Sequence, residues 1–386
     1  MRSLLALAFL CCQTAFGDYA GYLEFQTVPS QAGTAATSPY SLLISGIFPQ
    51  FATVAHGGQV VNTVTCGVNS IVCPADLTFS KDSGCTAPYA GWEITGYSPT
   101  TGQLTASVVI PILSNTRSEK IYACVGNAAV TTFQGGARGA AYDNNYLLAL
   151  HMDETSGTTL HDSTANANDA LKKAATSPNP TTAGKLGGAQ TFLGTANSIN
   201  NDYALFSSPT APANTYTIEY WTNASSYIDQ DSVFLENSGT PPIIYAGFYW
   251  YLPGTVIFKN SFNPNSPIAP GHASAGIFHN VVFVRNGDNL SVFLDGVAGT
   301  SASGWGTGLE QWIGLGWDAG ANSVFNSFNG VLDEVFYSNI ARTPDYVTAR
   351  YNNLNNPSTF YTVSAFTPLV QAPRSTTQAN SQVNIF

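Results

Sequence analysis

Charge is scarce in this sequence. Asp, Glu, Lys and Arg together make up 9% of 386 residues, against roughly 25% in an average globular chain. Long surface helices usually carry Glu and Lys, so the shortage argues against a helical protein. The basic side chains are the scarcer kind: 13 Lys plus Arg stand against 23 acids, for a net charge of −10, and no Lys/Arg-rich run occurs. A phosphate backbone needs a basic surface to bind it, so nucleic acid is not an expected partner. Beyond the N-terminus there is no stretch of about eighteen uninterrupted apolar residues, so no membrane-spanning helix is expected. Also absent are the H-E-x-x-H and C-x-x-C spacings of zinc sites and the G-x-S-x-G of a serine nucleophile.

What fills the gap is Gly, Ser, Thr, Asn and Pro between short β-branched or aromatic runs, a composition suited to strands and turns. At the N-terminus, Arg2 precedes the apolar "LLALAFLCC", and Ala15-Phe16-Gly17 fits a small-x-small cleavage site. Residues 1–17 therefore read as a secretory signal, placing the mature chain outside the cell or on its surface. Four cysteines remain, Cys66, Cys73, Cys85 and Cys124. An even count in an exported chain favours disulfides, and four allow three connectivities. Cys66–Cys73 is favoured, because Gly67 and Asn69 in "CGVNSIVC" can turn the chain back, and Cys85–Cys124 then follows.

Two series of strands are expected. The first, in residues 18–142, runs "YLEFQTV", "YSLLIS", "ADLTFS", "GWEITGY", "LTASVVI" and "KIYACVG" and suggests an antiparallel sandwich. The Gly-rich "FQGGARGAAYDNN" marks a junction. The second, in residues 143–362, has about ten runs from "YLLALHM" to "GVLDEVFYS", the pattern of a jelly roll. Asn286-Gly287 marks a hairpin there. One short helix is expected at "RTPDYVTARYNN", with Thr343 as its cap and Pro344 in its first turn. Residues 363–386 lack apolar periodicity and read as a disordered tail. The fold class is all-β: two antiparallel sandwiches with one short helix near the end.

The motifs in these segments resemble known modules. Asp76-Leu77-Thr78-Phe79, Trp92-Glu93-Ile94, Ile110-Pro111 and Ile121-Tyr122 with Gly126-Asn127 resemble the bacterial and archaeal domain of unknown function DUF2341. "LHMDETSGTTLHDSTANAND", "GIFHNVVFVRNGDNLSVFLDG" and "FNGVLDEVFYSNIARTPDYVTARYNN" resemble laminin-G-like, concanavalin A-like jelly rolls. The resemblance implies a fold and an extracellular setting, in which either binding or hydrolysis is found.

Several residues are candidates for chemistry. Asp333 and Glu334 are adjacent on a strand, so alternation sends Asp333 to the face of Val331, Val335 and Tyr337, and Glu334 to that of Leu332 and Phe336. They then cannot flank one glycosidic bond, and the E-x-D-x-(x)-E of glucanases on this fold is missing. Asp229 and Asp231 are spaced i, i+2 but read as a solvated turn. "HDSTANAND" clusters Asp162, Asn166 and Asn168, an oxygen-rich loop suited to calcium. The jelly-roll resemblance implies that the first and last strands are neighbours, so that Asp333 completes the site. The alternative is a turn held by its own side chains. "SKDSGCT" reads as an ordinary hairpin turn, and His151 and His279 as framework residues. Trp250, Tyr251, Trp305 and Trp317 are the candidates for stacking on sugar rings. The expectation is a non-catalytic protein that binds a glycan or cell-surface polymer, with calcium as a structural ion. A structural module of a surface appendage is the alternative, and a glycoside hydrolase the weaker one.

Overall fold

A computed structural model describes residues 18–194, 202–206, 214–225, 230–236, 244–248, 256–260, 269–303, 312–316 and 328–370. Strands dominate them, with α-helices only at Pro344–Asn355 and Pro357–Phe360.

The first module is built on strand Gly21–Thr27, which alternates buried and half-exposed positions as its sequence requires. Leu23 and Phe25 enter the core, while Tyr22, Glu24 and Gln26 face outward. This strand pairs antiparallel with Lys120–Val125, which pairs in turn with Leu77–Ser80. A second sheet of Tyr40–Ile47, Gln103–Ile110 and Trp92–Tyr97 provides the other layer. Both disulfides form as expected, Cys66–Cys73 and Cys85–Cys124.

The second module is a sandwich of two larger sheets. One has seven strands, from Thr159–Leu160 to Val256–Asn260. The other has eight, with Gly330–Ser338 and Thr215–Ala224 side by side at its centre. Leu148, Ile218, Phe283, Leu332 and Tyr337 belong to the apolar core of this sandwich. The hairpin turns at Gly287-Asp288, one residue later than expected, with Gly287 at φ +62°. Helix Pro344–Asn355 begins as expected: the Thr343 side chain accepts the Tyr346 amide at 3.2 Å.

The modules are not separate beads. The outer face of the eight-stranded sheet carries Ala149, Trp221 and Phe336 into the same apolar cluster as Leu43, Trp92 and Phe79 of the first module. Helix residue Asn353 joins the two through its side chain, which accepts the Leu43 amide at 2.8 Å and donates to the Leu43 carbonyl at 2.9 Å. The chain then crosses back: Tyr361–Val363 pairs with Gly21–Thr27, and Thr367–Pro368 with its start. This corrects the expectation of a disordered tail from residue 363. Its residues 363–370 are docked on the first sheet, because the edge of Gly21–Thr27 offers backbone groups that need partners.

Candidate functional site

The closing strand Gly330–Ser338 changes neighbours at its two acids. On one edge Gly330, Val331 and Leu332 pair with Ala189–Phe192, whereas Val335 to Ser338 pair with Tyr146–Leu150. Asp333 and Glu334 fall in the gap. On the other edge Glu334 and Val335 together oppose the single residue Tyr220, and Glu334 takes φ +50°. An extra residue in the left-handed region is a β-bulge, and it resets which way side chains point.

The bulge overturns the expected alternation. Leu332, Val335 and Tyr337 all enter the jelly-roll core. Asp333 turns to the opposite face, where it accepts the amides of Lys185 at 2.6 Å and Leu186 at 3.1 Å. Glu334 turns to the first module as well, with its Oε1 3.0 Å from Nδ1 of His151. The acids expected on opposite faces are therefore on the same one.

His151 stands between carboxylates of both modules. Its Nε2 lies 3.1 Å from Oε1 of Glu93, on strand Trp92–Tyr97, and 2.9 Å from the Tyr142 hydroxyl, which donates to the same Glu93 oxygen. Burial opposes charging of His151, but Glu334 and then Glu93 outweigh it and hold its pKa well above the usual 6.5. The imidazolium thus donates to one acid on each side. Burial, and then the Glu334 charge, push the Asp333 carboxyl well above its ordinary range. Asp153 is also raised, by burial first, with His151 lowering it and Glu334 raising it. Its carboxyl accepts the side-chain amide of Asn69 and its own backbone N–H.

Beside this seam lies a cleft of about 610 Å³ between the modules. Its first-module wall comes from the hairpin of Trp92–Tyr97 and Gln103–Ile110, with Thr95, Tyr97 and Thr105. Asp153, Thr181, Thr182 and the Leu186–Gly188 loop supply the other wall. Asp153 lines both the cleft and a small cavity that reaches Glu93 and His151. Gly188 permits the loop to pack this closely, since a Cβ there would sit 2.9 Å from Cα of Asp153. Hydroxyls, an amide, backbone groups and one aromatic ring can hold a polyhydroxylated ligand in such a cleft, whose volume is typical of small-molecule sites.

The other candidates fare differently. Both oxygens of Asp162 are already used: Oδ1 accepts the amides of Ala149 (2.9 Å) and Thr164 (2.8 Å), and Oδ2 accepts the Thr164 hydroxyl (2.7 Å) and the Asn168 amide (2.8 Å). Asn166 and Asn168 donate their side-chain amides to the Tyr146 and Leu147 carbonyls. Asp333 shares none of these partners, so the structure does not bring it together with Asp162 through them. Among the described residues no group of three or more His, Cys, Asp or Glu is arranged to hold a metal ion. Asp82 of "SKDSGCT" closes its turn by accepting from Ser80, Thr86 and Ala87. His279 bonds Asp295 at 2.7 Å and the Ser274 amide at 2.8 Å. Trp250, Tyr251, Trp305, Trp317 and Asp229 lie outside the described residues, and Asp231 falls in strand Gln230–Glu236.

Glu93, Tyr142, Asp153 and the Thr181–Gly188 wall were not singled out by sequence. The acids flanking His151 are 58 and 183 residues away from it, beyond any local motif.

Fold and site together define an all-β chain of two interlocked sandwiches with a cleft at their junction. The family model described as the Concanavalin A-like lectin/glucanases superfamily, of laminin-G type, matches residues 198–348. That supports a concanavalin A-like domain over this segment, while the DUF2341 resemblance of the first module has no such match. Among solved structures, domain 4 of an extracellular GH43 arabinanase from Geobacillus stearothermophilus, in complex with arabinotriose, is 17% identical with a TM-score of 0.42, over 55% of this chain and 98% of that one. The binding domain of Paraclostridial Mosquitocidal Protein 1 is 12% identical with a TM-score of 0.40, over 54% of this chain and 52% of that one. A heptameric SAP-like pentraxin from Limulus polyphemus is 15% identical with a TM-score of 0.34, over 41% and 78%. These likenesses are too remote to carry a ligand across. A comparison with curated proteins finds no match.

Proposed function

We propose that this chain is an exported, non-catalytic binding protein that holds a glycan in the cleft between its two sandwiches. The observation that carries the reading is the cleft itself: about 610 Å³, with threonine hydroxyls, Gln103, the Tyr97 ring and no Lys or Arg among its lining residues. Hydroxyl and amide groups suit sugar hydroxyls, and an aromatic face suits the apolar side of a pyranose. The concanavalin A-like match at residues 198–348 supports a carbohydrate-binding setting, although the cleft residues precede it in the chain.

The signal-like first 17 residues support export, and so do the two disulfides, which form in oxidising compartments. No helix among the described residues is long and apolar enough to cross a membrane. A binding role is favoured over hydrolysis because a glycosidase needs two carboxyls flanking the substrate. Of the seam acids only Asp153 lines the cleft, while Glu93 and Glu334 are engaged by His151.

A glycan array, run with and without calcium, tests the reading, followed by titration of the best oligosaccharide into Thr181→Tyr protein. That variant puts a larger side chain into the cleft from the wall it already lines. The expected outcome is binding that drops at least tenfold in the variant at unchanged melting temperature. A clean negative on the array, or full affinity in Thr181→Tyr, would overturn it.

A further inference from the structure

We infer that the cleft prefers a sugar carrying a free amine, such as an oligosaccharide of glucosamine, over its acetylated or acidic counterparts. This rests on the proposed glycan-binding reading and adds the charge of the ligand to it.

The argument is one of local charge balance. Among the described residues that line the cleft, Asp153 is the one charged side chain. Behind it stand Glu93 and Glu334, bridged by His151 at 3.1 and 3.0 Å, and Asp333 one residue from Glu334. Three carboxyls, those of Glu93, Glu334 and Asp153, thus act on the single positive charge of His151. The neighbouring cations are committed elsewhere. Arg350 bonds Glu219 at 3.3 Å and lies over the Phe336 ring. Arg342 forms a two-pronged pair with Asp143 at 2.7 and 3.0 Å. Lys185, which feels the Asp333 charge, directs its ammonium to the side chain and carbonyl of Asn355, at 2.8 and 3.3 Å, and over the Trp221 ring.

Asp153 is held by neutral donors alone, the Asn69 amide and its own backbone N–H, so its charge is solvated but not neutralised by a paired cation. Burial is the first cause that raises its pKa, and the His151 charge offsets it only in part. A ligand ammonium beside it supplies that charge and favours the ionised carboxylate. A uronate or sulfate meets repulsion from the same group, with no Lys or Arg on the wall to offset it.

The test is titration calorimetry with three oligosaccharides of equal length: glucosamine, N-acetylglucosamine and a uronic acid. It is run at about pH 6, below the pKa of an amine, in low salt. The expected order is amine, then neutral, then acid, with at least a fivefold step from the first to the second. Asp153→Asn should abolish that step, read as the ratio of amine to neutral affinity in the same protein. Thr181→Lys, which puts a positive charge on the same wall as Asp153, should reverse the order, and it serves if Asp153→Asn does not fold. Neutral binding without an amine preference would overturn this inference and leave the glycan reading standing. An amine preference that survives both substitutions would overturn it too. No binding by any of the three would overturn this inference, and a clean negative on the glycan array would overturn the glycan reading with it.

Discussion

Replacing His151 by Leu removes the cation that bridges Glu93 and Glu334, leaving Glu334 without that donor and Glu93 with the Tyr142 hydroxyl. Both carboxyls are largely buried, at 18% and 6% side-chain exposure. Removing one partner of a buried ion pair costs about 3–5 kcal/mol, chiefly because the charge left behind has no compensation. With an unfolding entropy of about 2.1 cal/mol/K per residue, a chain of this length should then lose roughly 4–7 °C in Tm. The sign with pH follows from linkage. His151 holds its proton more tightly folded than unfolded, its pKa being raised well above 6.5. The stability it contributes is fully present below about pH 6.5 and is lost as pH rises through the raised folded value. The gap in Tm between native and His151→Leu protein should thus be widest near pH 6 and close progressively in alkaline buffer. A neutral triple variant, Glu93→Gln with His151→Gln and Glu334→Gln, should recover most of the loss, since no charge is left unpaired. Calorimetric melts of the three proteins across pH are the assay. A Tm loss under about 1 °C, or a loss independent of pH, would refute the seam as an electrostatic clamp.

Other consequences follow from the same contacts. Gly188→Val forces a Cβ to within 2.9 Å of the Asp153 Cα, so the backbone must shift: oligosaccharide binding should weaken severalfold and Tm should fall as well, measured by calorimetry and melting. The Cys85–Cys124 bridge spans 39 residues and Cys66–Cys73 only 7. Chain entropy puts their loss at about 4 and about 2.5 kcal/mol, so serine substitution of the first pair should lower the denaturant midpoint more than that of the second. A chain ending at Phe360 loses the Tyr361 ring, 5.3 Å from Phe25, together with the strand paired to Phe25, Gln26 and Thr27. Hydrogen exchange should show lost protection in Gly21–Thr27, despite more than three hundred intervening residues.

Local chemistry was legible in the sequence where one segment determines its own structure. The Thr343 cap, the hairpin near Gly287, the Asp82 turn and the alternation of Gly21–Thr27 all follow from neighbouring residue types. The short loop between Cys66 and Cys73 pointed to its disulfide in the same way. The seam was not legible, because it depends on a single bulge. A strand read with strict period two separates Asp333 from Glu334, and nothing in "VLDEVF" announces that Glu334 adopts φ +50°. The bulge becomes visible only when Tyr220 is set opposite two residues and the strand changes partners. The docking of Tyr361–Val363 was hidden for a related reason: its partner lies at the other end of the chain, and its residues "YTV" are ordinary. The aromatic residues favoured for sugar contact, Trp250, Tyr251, Trp305 and Trp317, were chosen by composition, whereas the cleft was assembled by topology. Its one aromatic ring is Tyr97.

The most direct test is amide hydrogen exchange with and without a saturating oligosaccharide identified on the array. Binding in the cleft predicts new protection in two segments, residues 95–105 and 181–188, one on each wall. Protection confined to residues 249–251 and 304–320, with both cleft walls unchanged, would contradict the account and move the site to those segments.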